Sequence, residues 1–154
     1  MTQDALRHWR RDLHRHPEAA WCEFRTSALI AHHLSELGFD LMLGDKLLAS
    51  NLIMGREIDV AAQKERALRQ GAHPDWLARI DEITGVMGVW DSGRPGPTLG
   101  FRFDIDAVEV EESREPAHQP CQEGWHSANP GWMHACAHVH IPADHEHQFR
   151  FNVN

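Results

Sequence analysis

The stretch Ser27-Ala28-Leu29-Ile30-Ala31-His32-His33-Leu34-Ser35-Glu36-Leu37-Gly38-Phe39-Asp40-Leu41-Met42-Leu43 changes its hydrophobic period at a single residue. Before Gly38, the side chains Leu29, Ile30, Leu34 and Leu37 share one face of a helix predicted over residues 23–37. Gly38 supplies the left-handed residue that ends such a helix. After it, Phe39, Leu41 and Leu43 alternate with Asp40 and Met42, which predicts a short strand. A helix that feeds a strand is the start of an α/β layer, so an α/β fold is expected.

Upstream, Leu6, Trp9 and Leu13 recur at helical spacing, which predicts a first helix over residues 4–14, with Asp4 favouring its start by charge and Pro17 ending it. Downstream, residues 45–82 are charged and helix-favouring, and Gly71 and Pro74 divide them into two helical pieces. The expectation there is a surface insertion or crossover that carries no chemistry. Thr84-Gly85-Val86-Met87-Gly88-Val89-Trp90 reads as a buried strand, followed by the turn Asp91-Ser92-Gly93-Arg94-Pro95-Gly96-Pro97 and a reversal into a second strand. In that second strand Leu99, Phe101, Phe103 and Ile105 alternate with Gly100, Arg102, Asp104 and Asp106, so the three charges should line one face. Residues 109–130 are acidic, and Pro116, Pro120, Gly124 and Pro130 exclude any long regular element.

Composition narrows the function classes. A chain of 154 residues is long enough for one domain with a real core, and 42% apolar residues is ordinary for a globular protein. A formal charge of -8 argues against a nucleic-acid partner. The start of the chain lacks a signal-peptide core, and no stretch reaches the length of a membrane span, so a cytoplasmic location without membrane attachment is expected. Cys22, Cys121 and Cys136 are an odd number without paired short spacing, which fits a reducing compartment.

The densest chemistry is in Met133-His134-Ala135-Cys136-Ala137-His138-Val139-His140, one thiol and three imidazoles in eight residues. Thiolate and neutral imidazole are preferred ligands of zinc and its neighbours, and the two-residue step from Cys136 to His138 can direct both toward one ion. Asp104 and Asp106 end the predicted strand, where sites of open α/β sheets lie; there they could hold a metal, orient a ligating imidazole, or merely pair with Arg102 in solvent. His134, His140, His145 and His147 read as part of a loose His-rich tail that binds metal weakly. His14 and His16 precede a proline turn and are expected away from the site. His32 and His33 are expected at a helix boundary or facing solvent.

The motifs Trp9-Arg10-Arg11-Asp12-Leu13-His14-Arg15-His16-Pro17-Glu18, Glu23-Phe24-Arg25-Thr26, Thr84-Gly85-Val86, Gly93-Arg94-Pro95-Gly96-Pro97-Thr98, Phe101-Arg102-Phe103-Asp104-Ile105-Asp106-Ala107 and Met133-His134-Ala135-Cys136 together resemble the opening of a metallopeptidase-family amidohydrolase. This family includes aminoacylases and carboxypeptidase G, and the helical insertion most resembles its aminobenzoyl-glutamate hydrolase branch, specifically the A-type subunit. The resemblance implies the N-terminal portion of a three-layer α/β/α catalytic domain with an incomplete sheet, spanning residues 1–138 with an insertion at about 45–82. It also implies a divalent metal, zinc or manganese, that activates water to attack the amide of a small N-acyl amino acid, with a glutamate as general base.

Cys136 and His138 match metal ligands of this family, and Asp104 matches the aspartate that supports the site. Arg102 stands where another branch has a histidine ligand; Asp106, His134 and His140 are candidate supporting residues around the ligands. Homo- or hetero-oligomers are implied, the latter by the two-subunit character of the branch. The base and the remaining ligands have no counterpart in these 154 residues. The family's metal loop reads His-Ala-Cys-Gly-His-Asp-Gly-His, whereas here Ala137 and Val139 replace its first Gly and its Asp, and residues 139–154 diverge altogether. A break so abrupt points to a shifted or truncated reading frame. Two rival readings are a His-rich metal-binding module without catalysis and a non-functional remnant.

Overall fold

The computed structural model describes residues 2–48 and 53–134. In chain order the elements are α1 (Gln3–Arg15), α2 (Phe24–Glu36), β1 (Asp40–Leu43), a 3-10 turn (Gly44–Lys46), α3 (Val60–Arg69), α4 (Pro74–Arg79), β2 (Val86–Val89) and a single turn, α5 (Gln119–Gln122). β1 and β2 form a two-stranded antiparallel sheet in which Leu41 faces Gly88 and Leu43 faces Val86. The fold is therefore mixed α/β, and a three-layer arrangement is not built among the described residues.

Local chemistry explains the helix boundaries. Thr2 caps α1 by accepting from the Ala5 N–H at 3.3 Å, and Asp4 lies in its first turn, where its charge favours the helix start. Asp59 caps α3 through the Ala62 N–H at 3.0 Å, and Pro74 opens α4 where no amide hydrogen is needed. α2 ends as predicted: with Gly38 at φ +82, the Phe39 N–H reaches Leu34 O at 3.1 Å and the Gly38 N–H reaches Ser35 O at 3.0 Å. Gly71 ends α3 with the same pair of bonds, from Ala72 to Ala67 at 2.9 Å and from Gly71 to Leu68 at 3.0 Å.

α2 is the hub, packed on α3, α4, β1 and β2. The core is Phe24, Ala28, Ala67, Ala72, Leu77 and Ile80, with Ile58, Val60 and Trp76 against it. Residues 57–80 thus supply four of the six core side chains, so these helical pieces pack into the core. Small side chains decide which face of α2 is buried: Ala28 and Ala31 are fully enclosed, whereas Leu37 of the predicted apolar stripe is exposed. In α1 Leu6 is likewise exposed, and the side chain that is fully buried is His14. Gly88 lets β2 lie against α2, because a Cβ there would come within 3.1 Å of Leu34 and of Phe39.

Two strand expectations are corrected. β2 alternates between half-buried and exposed residues, with Met87 and Val89 in solvent. Residues 99–106 form no strand; Leu99, Phe101 and Phe103 are 73%, 62% and 74% exposed. A strand needs a neighbouring strand for its amides, and among the described residues no ladder pairs with this segment.

Candidate functional site

The turn between α1 and α2 anchors everything that follows. Glu18 is fully buried, and its carboxylate accepts from the Arg25 N–H at 3.1 Å and the Thr26 N–H at 2.7 Å. These are the open amides of the first turn of α2, so Glu18 closes that helix from outside, and Arg66 of α3 balances its charge at 2.8 Å. The backbone carbonyl of Glu18 accepts from the Ala107 N–H at 2.8 Å, which ties the end of the 99–106 segment to this turn. Between the two, Trp21 holds a positive φ of 66° and donates its indole N–H to Met54 O at 3.1 Å.

Glu23 follows. It accepts from the Thr84 hydroxyl at 2.5 Å, while the Ser27 hydroxyl accepts from the Gly85 N–H at 2.8 Å, so α2 holds the start of β2. Burial pushes the Glu23 carboxyl up, the Thr84 hydrogen bond opposes this, and the charge of Asp106 adds to the rise. Asp106 is thus within electrostatic reach of Glu23.

A second anchor is the carboxylate of Glu112. It is buried, takes the Nε2 atoms of His14 and His118 at 2.8 Å each on one oxygen, and accepts from the Ser127 N–H on the other. Burial would raise its pKa, but the Ser127 amide and the two imidazoles outweigh it and hold the carboxyl low. The His14 ring meets Trp125 edge-on at 5.1 Å, and Asn129 donates to Pro17 O at 2.6 Å and accepts from Gln70 at 2.5 Å. An irregular segment is thereby clamped to α1 and α3, ending in the bridge between Val108 and Met133.

That bridge delivers His134. Its Nε2 is closed off from solvent and has no hydrogen-bond partner among the described residues. Burial lowers its pKa, His14 lowers it further and Asp106 acts in the opposite sense, so the neutral ring is favoured. A neutral imidazole with an unused buried nitrogen, a carboxylate acting on it and a thiol two residues on at Cys136 are donors that suit a divalent transition ion.

Of the residues singled out in the sequence, Asp106 lies within electrostatic reach of Glu23 and of His134, and His14 within reach of His134. Asp104 does not join them: it is exposed and 3.4 Å from Arg102, also exposed, so both face solvent as a surface pair. Cys136, His138, His140 and the 139–154 tail lie outside the described residues. Glu18, Glu23 and Glu112 were missed as anchors, because nothing in their spacing separates a buried carboxylate from a solvated one; the dense His14-Arg15-His16-Pro17-Glu18 run was the available signal.

No family model matches the chain. The A-type subunit of the p-aminobenzoyl-glutamate hydrolase of Escherichia coli is 42% identical over 136 residues, 86% of this chain and 31% of that protein. The indole-3-acetyl-aspartic acid hydrolase of Enterobacter agglomerans is 45% identical over 133 residues, 84% of this chain and 30% of its own length. A crystal structure of an aminobenzoyl-glutamate utilization protein from Klebsiella pneumoniae superposes with a TM-score of 0.65 at 42% identity, over 68% of this chain and 27% of that one. With most of its own length matched and under a third of theirs, the chain is similar to the A-type aminobenzoyl-glutamate hydrolase subunits over one stretch of those longer proteins.

Proposed function

We propose that these residues are the N-terminal part of a three-layer α/β/α amidohydrolase domain that uses a divalent metal, zinc or manganese, to cleave small N-acyl amino acids such as aminobenzoyl-glutamate. The observation that carries this reading is the buried Nε2 of His134, without a partner among the described residues, facing the field of Asp106 and two residues before Cys136. Cys136 and His138 are the proposed ligands, with Asp106 in the supporting role that the sequence suggested for Asp104. When bound, the ion supplies Lewis acidity toward the amide carbonyl. His134 and Asp106 keep the site polar and positioned.

In this reading the general base is a glutamate that none of the matched motifs supplies, so these residues are proposed to bind metal without turnover. A partner subunit is proposed as well, since the relative from Escherichia coli is named as one subunit of its enzyme. No helix among the described residues is long and apolar enough to cross a membrane. Calorimetric titration of the full chain with zinc tests the site. One zinc equivalent should be lost in Cys136→Ser with His138→Ala, weaken roughly tenfold or more in Asp106→Asn, and stay unchanged in Asp104→Asn. Equal binding in all variants would overturn the site, and hydrolysis of aminobenzoyl-glutamate that vanishes in Cys136→Ser would overturn the claim of an inactive chain.

A further inference from the structure

We infer that the outer face of α2 carries a second metal site, made by His32, His33 and Glu36, that takes a borderline divalent transition ion such as zinc or copper. The three side chains each offer one donor atom, and these atoms all lie within 4.8 Å of one another. Both imidazoles already converge on one carboxylate: His33 Nδ1 is 3.3 Å from one oxygen of Glu36, and His32 Nε2 is 3.6 Å from the other. Helical spacing explains this, since residues three and four apart share a face, and Glu36 is the i+3 partner of His33 and the i+4 partner of His32.

The rings are braced by other elements. Trp9 of α1 packs on His33 with centroids 4.4 Å apart, and His73, which precedes α4, stacks on His32 at 5.2 Å with planes 20° apart. A site held from α1 and from the α3–α4 turn loses less side-chain freedom on binding than two free histidines would. Two ligand atoms at about 2.1 Å from one ion are at most about 4.2 Å apart, so closure needs under about an ångström of movement per side chain. Two imidazole nitrogens and one carboxylate oxygen suit zinc, copper or nickel, whereas calcium and magnesium need more oxygens. The side chains of His32 and His33 remain about a third exposed, which leaves an entry path and room for water at the remaining position.

The site is independent of Cys136 and His138, so it is tested with both removed. In the full chain carrying Cys136→Ser and His138→Ala, zinc calorimetry should show one equivalent more than in the same chain with His32→Gln and His33→Gln added. Glu36→Gln, which keeps both rings, should weaken that equivalent by roughly tenfold. Copper should quench the Trp9 share of the fluorescence, taken as the difference from Trp9→Phe, and this quenching should disappear in His33→Gln. Equal zinc stoichiometry with and without His32 and His33, or quenching indifferent to His33→Gln, overturns the proposal and leaves the trio an ordinary ion pair.

Discussion

Residues 24–80 and residues 91–106 are both rich in large apolar side chains, yet only the first region buries them. Phe24 and Ile80 are fully enclosed, while Phe101 and Phe103 are 62% and 74% exposed. The difference is one of partners. α2 meets α3 and α4 across small residues, so Phe24, Leu77 and Ile80 find complementary surfaces close in sequence. The 99–106 segment is tied down at its end, by the Ala107 N–H on Glu18, and Leu99, Phe101 and Phe103 stay largely exposed. Hydrophobic pattern specifies a face to be covered; it does not supply the cover.

The contrast can be broken most severely at Phe24. Phe24→Ala should cost about 3–5 kcal/mol in urea unfolding, because it opens a cavity at a fully buried position. Glu18→Ala should follow at about 3 kcal/mol, since it leaves Arg66 without its buried partner and exposes the amides at the start of α2. Gly88→Val should cost about 1–3 kcal/mol by crowding Leu34 and Phe39, with the loss appearing in the melting temperature.

Acid sharpens the comparison further. Burial raises the Asp12 carboxyl, but hydrogen bonds from His16 and Arg25 outweigh it and bring it to about 2; Glu112 is also held low. Both folded values lie below the unfolded ones of about 4, so the stability they confer is present at neutral pH and lost as pH falls from about 4.5 toward 2. Glu23, raised by burial, works in the opposite sense and offsets part of that loss. Glu112→Gln should therefore melt lower at pH 7 and lose less between pH 5 and pH 3 than the parent chain. The smallest effect belongs to Phe103→Ser, expected within about 0.5 kcal/mol of the parent because the side chain is already in water. A large loss there would mean that the 99–106 segment is paired after all.

Much of the fold was legible locally. The α2–Gly38–β1 passage, the end of α3 at Gly71 and the start of α4 at Pro74 all follow from residues a few positions apart, because caps and turns are short-range chemistry. The buried face of α2 was not legible, since the leucine stripe is more hydrophobic than the alanines that actually let the neighbouring helices approach. At the candidate site, the pattern brought Asp104 and Asp106 forward equally, and the alternation gave both the same face. Position in the folded chain separates them: Asp106 acts on Glu23 and His134, and Asp104 pairs with Arg102 in solvent.

By itself, then, the sequence determined the helix ends, the mixed α/β character, the acidic charge and the similarity to part of the aminobenzoyl-glutamate hydrolase subunits, all of which reside in residue identity and short spacing. Tertiary structure decided which carboxylates are buried, that His14 belongs with Glu112 beside the site, and that His32, His33 and Glu36 share a braced face with Trp9 and His73. The physical reason is distance along the chain. His14 and Glu112 are separated by 98 positions, and only the closure of the irregular 107–134 segment onto α1 makes one an environment for the other.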